Sequence, residues 1–162
     1  MRDLKVAILT ISDKGSKGER EDKSGPLLKD LVEFNGGKVI EYKIVPDEEQ
    51  QIGTALVEWA DSGNVQLILT TGGTGLSERD ITPEATAKVI ERRAPGFSEA
   101  IRQQAFKDTK KAILSRGISG VRGKTLIINF PGSTKAVDES FKIVQSVLSH
   151  AVEILEGHTE HG

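Results

Sequence analysis

The middle of the chain reads Leu67-Ile68-Leu69-Thr70-Thr71-Gly72-Gly73-Thr74-Gly75-Leu76-Ser77-Glu78-Arg79-Asp80-Ile81-Thr82-Pro83-Glu84-Ala85. The run from Val65 to Thr70, in which Gln66 and the final Thr70 are the polar residues, has the length and pattern of a strand that is buried on both faces. Three glycines within four residues follow it, so the strand is predicted to end in a glycine turn. Thr82 is a favoured N-cap residue, Pro83 suits the first helical turn, and Glu84 complements the helix dipole. The stretch therefore predicts a strand, a glycine turn, a charged link and a helix.

The glycine turn has the composition of an anion-binding loop. Glycine permits positive φ and close approach to the backbone, so successive N–H groups can face one anion. Two common phosphate motifs are absent, because Leu76-Ser77 stands where Walker A needs its Lys and Ser/Thr, and Glu78 replaces the third glycine of the dinucleotide fingerprint. Glycine spacing alone therefore leaves a phosphate site and a simple tight turn equally open.

The composition predicts one domain, residues 1–162, that uses no disulfide. A chain of 162 residues can bury roughly two-thirds of its unfolded surface, and it contains no Cys. The absence of Cys fits a reducing compartment, so we expect a cytoplasmic protein. The chain starts Met1-Arg2-Asp3-Leu4-Lys5 and runs directly into a predicted strand, and its apolar runs are short. We therefore expect neither export nor a membrane span.

The charge pattern favours a small-molecule ligand. The net charge is −2, from 22 basic and 24 acidic residues that are scattered along the chain, and only 4% of residues are aromatic. Proteins that bind nucleic acid usually carry a basic stripe with interleaved aromatic residues. We therefore expect no nucleic-acid partner.

Predicted strands alternate with predicted helices along the rest of the chain. Further strands are predicted at 5–11, 38–45 and 124–130. Helices are predicted from a Ser24 cap to Phe34, from an Asp47 cap to about Ser62, from Thr82 to about Arg93, from Phe97 to about Asp108, and from a Ser133 cap to about Leu155. The segment 112–123 is predicted to be irregular, with a surface hairpin as the alternative. This alternation predicts an α/β fold with a parallel sheet and helices on both faces.

Polar residues follow the predicted strands and should therefore meet at one sheet edge. Ser12-Asp13, Asp47, Gly72–Asp80 and Asn129–Ser133 all come after strands, where open α/β sheets bind their ligands. Taken singly, Asp47 is adequately explained as a helix cap, and the charged segment 12–23 is adequately explained as a solvated loop. In the functional interpretation, Lys14 and Lys17 of that segment meet an anionic substrate.

The residue types at this edge suit phosphoryl or nucleotidyl transfer. Mg²⁺ binds one or two carboxylates together with substrate phosphate oxygens, so Asp47 and Asp80 are candidate metal ligands. The histidines are His150 on the last predicted helix and His158 and His161 in the tail, so a histidine base or a histidine-ligated zinc site is not expected. A phosphate nucleophile, with a second pKa of about 6, needs no general base.

The motifs together resemble those of the MogA/MoaB-type molybdenum cofactor biosynthesis proteins. The resemblance covers essentially the whole chain and is carried by Thr70–Gly75, Arg79–Ala85, Val45-Pro46-Asp47, Leu114-Ser115-Arg116 and Asn129–Gly132. Ile11-Ser12-Asp13 and Pro95-Gly96-Phe97 make the chain look most like the molybdopterin adenylyltransferase branch. Two departures, Phe130 where the family often has Leu and Thr134 where it often has Pro, concern turn geometry and leave the acids intact.

The resemblance implies a fold, a reaction and partners. It implies a three-layer α/β/α fold with a mostly parallel sheet, the molybdenum cofactor biosynthesis protein-like fold. It also implies Mg²⁺-dependent transfer of AMP from ATP to the terminal phosphate of molybdopterin with release of pyrophosphate. A homotrimer and hand-over of the product to a molybdenum insertase follow from the same resemblance. The alternative is a protein of the same fold that binds or carries molybdopterin without catalysis.

The resemblance also assigns roles to individual positions. Asp47 and Asp80 match the essential acids and are the implied catalytic residues and Mg²⁺ ligands. The implied phosphate- and nucleotide-binding residues are Gly72, Gly73, Thr74, Gly75, Asn129, Pro131, Gly132 and Ser133. The implied pterin-binding residues are Ser12, Asp13, Ser115 and Arg116.

Overall fold

A six-stranded sheet forms the centre of the protein in a computed structural model that describes residues 1–158. The strands are β1 (Lys5–Ile11), β2 (Lys38–Val45), β3 (Leu67–Thr71), β4 (Arg92–Arg93), β5 (Ser119–Arg122) and β6 (Thr125–Phe130). Their order across the sheet is β2-β1-β3-β6-β5-β4. Strands β2, β1, β3 and β6 run parallel to one another, whereas β5 runs antiparallel to β6 and β4 runs antiparallel to β5. The prediction of a mostly parallel α/β sheet is confirmed.

Helices cover both faces of this sheet. They are α1 (Asp13–Ser16), α2 (Ser24–Phe34), α3 (Glu49–Asp61), α4 (Thr82–Val89), α5 (Gly96–Asp108) and α6 (Thr134–Leu155), with a 3₁₀ helix at Lys110–Leu114. Successive side chains of β1 belong to different cores: Val6 and Ile8 pack with α2, α5 and α6, while Ala7 and Leu9 pack with α3 and α4. The central strands β1, β3 and β6 are therefore buried at every position except Lys5, because both of their faces are covered.

Asp47 was predicted to cap α3 and does not, whereas Ser133 caps α6 as predicted. Glu48 occupies the N-cap position of α3 without a side-chain hydrogen bond, and Asp47 lies one residue earlier. The Ser133 hydroxyl accepts a hydrogen bond from the Ala136 N–H at 3.1 Å, as predicted. The Asp47 carboxylate has a different use, described below.

Two other predicted caps bind the strand-end turns instead. Thr82 is the first residue of α4 and donates its hydroxyl hydrogen to the Gly72 carbonyl at 2.9 Å. Ser24 is the first residue of α2 and donates to the Gly132 carbonyl at 2.6 Å. Both hydroxyls thus tie a helix to a turn at the carboxyl edge of the sheet.

The segment after α4 differs most from prediction. Helix α4 ends at Val89, and Arg92–Arg93 form the edge strand β4 instead of a last helical turn. Residues 119–122 form β5, which pairs with β6 and is mostly buried. Neither the irregular segment nor the surface hairpin predicted for 112–123 is therefore correct at 119–122, because these residues pair with β6, outside that segment, as a strand of the sheet.

Among residues 1–158, none of the helices has the length and apolar character that crossing a membrane requires. His161 lies outside the described residues.

Candidate active site

One large open cleft, of about 870 Å³, lies at the carboxyl ends of the parallel strands. We call it the strand-end cleft. Its lining comes from the end of β1, the loop before α2, the residue pair after β2, and the turns after β3 and β6. The lining residues are Thr10, Ile11, Ser12, Gly15, Arg20, Glu21, Asp22, Lys23, Ser24, Asp47, Thr71, Gly72, Gly73, Asp80, Gly132, Ser133 and Thr134. The convergence predicted from strand order is confirmed for the backbone of this edge.

The turn after β3 requires glycine at two successive positions. Gly72 and Gly73 have φ values of 102° and 69°, in the left-handed region that side chains disfavour. A Cβ atom on Gly72 would lie 2.3 Å from the Ile11 carbonyl oxygen, and one on Gly73 would lie 2.2 Å from the Thr82 hydroxyl. The turn can therefore reach its neighbours only without side chains. A Cβ on Gly132 would lie 3.4 Å from the Gly72 Cα, so the turns after β3 and β6 pack against each other.

Asp47 and Asp13 form a reciprocal pair at the cleft. The Asp13 N–H donates to Asp47 Oδ2 at 2.9 Å, and the Asp47 N–H donates to Asp13 Oδ1 at 2.9 Å. The Asp47 side chain is half-buried. Burial raises the pKa of Asp47, repulsion from Asp13 and Asp80 raises it further, and the Asp13 N–H and Arg79 oppose this rise. Asp47 is thus a fixed, partly desolvated carboxyl group.

Arg79 lies against this pair. It donates from Nε to Asp13 Oδ2 at 2.8 Å and from Nη2 to Asp13 Oδ1 at 2.9 Å, and Nη2 also reaches Glu48 Oε1 at 3.0 Å. The bidentate hydrogen bond from Arg79 lowers the pKa of Asp13 to about 2, helped by the Asp47 N–H. Asp13 is therefore an anion across the whole physiological range.

Asp80 lies at the end of the turn that follows the glycines. Its Oδ2 accepts from the Ser77 N–H at 3.1 Å, and a Cβ on Gly75 would lie 2.8 Å from the same oxygen. The charge on Asp80 contributes to the raised pKa of Asp47, so the two carboxyl groups interact. Both line the strand-end cleft.

The donor set of the cleft fits Mg²⁺ that is shared with a substrate. No group of three or more His, Cys, Asp or Glu side chains among the described residues is arranged to hold a metal ion. Two carboxylates beside an open, amide-lined turn are nevertheless sufficient for Mg²⁺, which usually completes its coordination with phosphate oxygens and water. Asp47 and Asp80 both line the cleft, and their role as the Mg²⁺ ligands stays a prediction.

Comparison with known proteins identifies the family. Residues 7–150 match the family described as the probable molybdopterin binding domain. The chain belongs to this family. The family match extends from within β1 into α6 and so includes the other five strands and both strand-end turns. The protein is therefore a member of the molybdopterin-binding MogA/MoaB group, which acts in molybdenum cofactor biosynthesis.

Individual relatives agree with this assignment. The chain is 39% identical over 160 residues to a molybdopterin adenylyltransferase of Helicobacter pylori (strain J99), covering 98% of this chain and 91% of that protein. It is 43% identical over 157 residues to the molybdenum cofactor synthesis protein cinnamon of Drosophila melanogaster, covering 96% of this chain but 26% of cinnamon. The chain thus spans about a quarter of that relative. The crystal structure of the molybdopterin biosynthesis enzyme MoaB from Thermus thermophilus superposes with a TM-score of 0.90 at 45% identity, covering 95% of this chain and 97% of that one.

Seven of the residues that the family resemblance assigned lie together in the strand-end cleft. They are Ser12, Asp47, Gly72, Gly73, Asp80, Gly132 and Ser133. Ser12 also caps α1, because its hydroxyl accepts from the Gly15 N–H at 2.9 Å. The binding roles of these residues stay predictions.

Arg116 supports the second half of the glycine turn through hydrogen bonds to its backbone. The Arg116 side chain donates to the carbonyls of Gly75 and Asp80, at 2.8 and 2.5 Å, and forms an ion pair with Glu84 at 2.6 Å. Its backbone N–H donates to the carbonyl of buried Thr74 at 2.7 Å. The structure therefore places Thr74, Gly75 and Arg116 beside the cleft as supports for the Asp80 turn and not on the cleft lining.

Asn129, Pro131 and Ser115 also lie off the cleft lining. Asn129 is buried, and its side chain makes three hydrogen bonds within the protein. They go to Thr70 of β3, to Thr86 of α4 and to the backbone N–H of Ile118, just before β5. Pro131 and Ser115 border a separate, smaller groove of about 200 Å³ between α5 and α6. The Pro131 carbonyl accepts from the Thr71 hydroxyl at 2.7 Å, so it supports the turn from behind.

Sequence reasoning missed the segment 20–24, which forms one wall of the cleft. Arg20 and Lys23 are the cations on the lining, whereas Lys14 and Lys17, which we expected to meet an anion, are exposed elsewhere. Asp22 anchors this wall by accepting hydrogen bonds from Thr10, Tyr42 and the Gly25 N–H.

One feature of the sequence could have indicated this wall, namely the glycine in the first turn of α2. Gly25 is unfavourable in a helix, yet a Cβ there would lie 2.3 Å from Asp22 Oδ2 and 2.6 Å from the Thr10 hydroxyl. A glycine retained at such a position indicates a close contact. Burial and the hydrogen bond to Asp22 raise the pKa of Tyr42 above its usual value, so this anchor keeps its proton at neutral pH.

Proposed function

We propose that this chain is a molybdopterin adenylyltransferase, which transfers AMP from ATP to the terminal phosphate of molybdopterin and releases pyrophosphate. One observation carries the proposal: Asp47 and Asp80 share a single cleft with both glycine-containing strand-end turns. Similarity to proteins that bear this name supports it. Two acids beside backbone amides suit a reaction in which phosphates must be held and neutralised.

Asp47 and Asp80 would hold Mg²⁺ in this reaction. When bound, Mg²⁺ supplies Lewis-acid neutralisation of phosphate charge at the reacting end of ATP. Within the chain, the glycine turn would bind phosphate oxygens through the Gly73 N–H, since neither Gly72 nor Gly73 presents a side chain there. The Gly72 N–H instead donates to the Phe130 carbonyl at 3.2 Å and holds the turn against β6. Arg20 and Lys23 would orient the anionic substrates from the opposite wall.

The bond changes need no basic side chain. An oxygen of the terminal phosphate of molybdopterin attacks the α-phosphorus of ATP, a P–O–P bond forms, and the bond between the α- and β-phosphates breaks. The electron pair leaves with pyrophosphate. Because the attacking phosphate is already ionised at neutral pH, no proton has to be removed from it. The task of the protein is therefore alignment and charge stabilisation.

The test is product formation with matched variants. Purified protein, molybdopterin, ATP and Mg²⁺ should give adenylylated molybdopterin and pyrophosphate, and EDTA should abolish both products. Asp80→Asn should eliminate turnover, because the amide keeps an acceptor oxygen for the Ser77 N–H but loses the charge. Glu78→Gln is the control, since it removes an exposed acid from the same turn off the cleft lining.

The outcome separates the two candidate functions. Loss of product in Asp80→Asn with normal product in Glu78→Gln supports the transferase. Binding of molybdopterin by the native protein without any ATP-dependent product would support the non-catalytic carrier. The implied homotrimer and the hand-over to a molybdenum insertase stay predictions, and light scattering and co-purification with such an insertase would test them.

A further inference from the structure

We propose that Asp13 is a positioning residue that holds Asp47 in place, and that Arg79 fixes Asp13, so that neither residue is a contact to the pterin. The inference rests on the proposed function, because it assigns Asp47 to the nucleotide and metal side of that reaction. It departs from the pterin-binding role that the family resemblance gave to Asp13.

The hydrogen bonds between the two aspartates leave Asp47 little freedom. The Asp13 N–H donates to Asp47 Oδ2 and fixes the carboxylate, and the Asp47 N–H donates to Asp13 Oδ1 and fixes the backbone, both at 2.9 Å. The other carboxylate oxygen, Asp47 Oδ1, lies on the side of the glycine turn, where a Cβ on Gly73 would be 3.0 Å away. One oxygen of Asp47 is thus bound to protein, and the other lies beside the phosphate-binding turn.

Asp13 itself has little capacity left for a ligand. Its Oδ1 accepts from the Asp47 N–H and from Arg79 Nη2, and its Oδ2 accepts from Arg79 Nε. A carboxylate offers about four acceptor sites, so three of them are used by protein donors. Asp13 is also not on the lining of the strand-end cleft, although Ser12 and Gly15 on either side of it are. These facts favour a supporting role over substrate contact.

Arg79 also links the positions of Asp47 and Asp80, because it directly precedes Asp80 in the chain. Its ion pair with Asp13 ties the turn that carries Asp80 to the residue that holds Asp47. Its second ion pair, with Glu48, reaches the segment of Asp47 directly. The two acids come from different strand ends, 33 positions apart, and their relative placement depends on such a link. A bidentate arginine pair fixes orientation as well as distance, which a lysine at this position would not do.

Charge also favours this role for Arg79. Asp13 and Asp80 both act on Asp47 as like charges, and the guanidinium opposes them. Without Arg79, three carboxylates would repel one another around one turn. Arg79 therefore reduces the like-charge repulsion between Asp47 and the anionic neighbour that holds its backbone and side chain.

The experiment compares Asp13→Ala, Asp13→Asn, Arg79→Ala and Arg79→Lys with a matched control. The control is Asp61→Asn, which removes another bidentate arginine pair, formed with Arg122 at 3.0 and 3.1 Å on a different part of the surface. Two affinities are measured by calorimetry: molybdopterin alone, and the α,β-methylene analogue of ATP with and without Mg²⁺. Turnover is measured in parallel.

A positioning role predicts a specific pattern. Asp13→Ala and Arg79→Ala should lose most of the Mg²⁺-dependent part of analogue binding and lower kcat by roughly 100-fold, as expected for a displaced catalytic group. Their affinity for molybdopterin should stay within about twofold of native, on the scale where tenfold corresponds to 1.4 kcal/mol. Asp13→Asn and Arg79→Lys should recover part of the loss, because each keeps one of the original hydrogen-bonding functions. Asp61→Asn should match the native protein in all three measurements.

Other outcomes have distinct meanings. A molybdopterin affinity at least tenfold weaker in Asp13→Ala, with unchanged Mg²⁺-dependent analogue binding, would overturn the inference and restore Asp13 as a pterin contact. Absence of turnover in the native protein would refute the proposed function, but the two binding measurements would still decide the role of Asp13. Melting temperatures near native in Asp13→Asn and Arg79→Lys would show that altered binding does not reflect unfolding.

Discussion

Replacement of Asn129 tests whether this residue stabilises the fold or contacts the nucleotide. Its amide group donates to the hydroxyls of Thr70 and Thr86 at 3.0 Å each, and its oxygen accepts from the Ile118 N–H at 3.1 Å. The side chain is only 3% exposed. Asn129→Ala therefore removes three hydrogen bonds, two buried and one partly buried, that join β3, α4 and the residue before β5 to β6.

The expected cost follows from these contacts. Each buried hydrogen bond contributes about 1 kcal/mol, so the free energy of unfolding should fall by about 3 kcal/mol. A domain of this size loses about 2–4 °C of melting temperature per kcal/mol, which predicts a shift of roughly 6–12 °C. Affinity of the folded protein for the ATP analogue should change by less than about twofold, because the side chain does not line the cleft.

The assay combines thermal and urea unfolding with calorimetric binding below the melting transition. Asn64→Ala is the matched control: Asn64 is exposed in the loop before β3, and the change should stay within about 0.5 kcal/mol. An unchanged melting temperature together with a large loss of nucleotide affinity in Asn129→Ala would refute the reasoning. That result would return Asn129 to the nucleotide-contacting role implied by the family resemblance.

Three further predictions concern the cleft. Gly73→Ala should lower the free energy of unfolding, measured in urea, by at least about 2 kcal/mol, because φ is 69° and the new Cβ would lie 2.2 Å from the Thr82 hydroxyl. The control, Gly53→Ala, has open space around its Cβ and should be neutral or slightly stabilising. Asp13 has its pKa lowered from 3.8 to about 2, so its contribution to stability is complete above about pH 4 and is lost as the pH falls toward 2. Unfolding at pH 5 and 2.5 should show a smaller pH dependence in Asp13→Asn than in the native protein, and equal slopes would contradict the pairing. Lys23→Gln should weaken binding of the ATP analogue about fivefold, whereas Lys14→Gln, off the cleft lining, should not; equal affinities in the two variants would exclude Lys23 from the phosphate site.

The architecture was predictable because the strands and most helices have strong local patterns. The apolar run at 67–71 and the alternating faces of β1 need cover on both sides, which only helices on both faces of the sheet provide. The segment 90–122 was not predictable in the same way. Strand β4 has two residues, and it exists through pairing with β5, whose partner residues lie almost thirty positions later. A two-residue strand has no periodicity that a sequence pattern could reveal.

The acids of the site were predictable from their position, but their contacts were not. Asp47 follows β2, a strand of the parallel part of the sheet, which places it at the ligand-binding edge. Its local pattern indicated a helix cap, and the cap position falls instead on Glu48. The hydrogen bonds of Asp47 go to a residue 34 positions earlier, in another loop. Local patterns cannot distinguish a carboxylate that caps its own helix from one that pairs with a distant backbone.

The same limit applies to the cations of the site, because a local pattern does not show which of them are paired with acids. Arg79 and Arg116 are each paired with acids, and both brace the turn that carries Asp80. The lining of the cleft retains Arg20 and Lys23, on a loop whose charged sequence reads as solvated. Carboxyl groups outnumber these cations on the lining, so the cleft by itself opposes a polyphosphate. A divalent ion between the acids and the phosphates would resolve this conflict, and for that reason we predict that the proposed reaction depends on Mg²⁺ more strongly for nucleotide binding than for pterin binding.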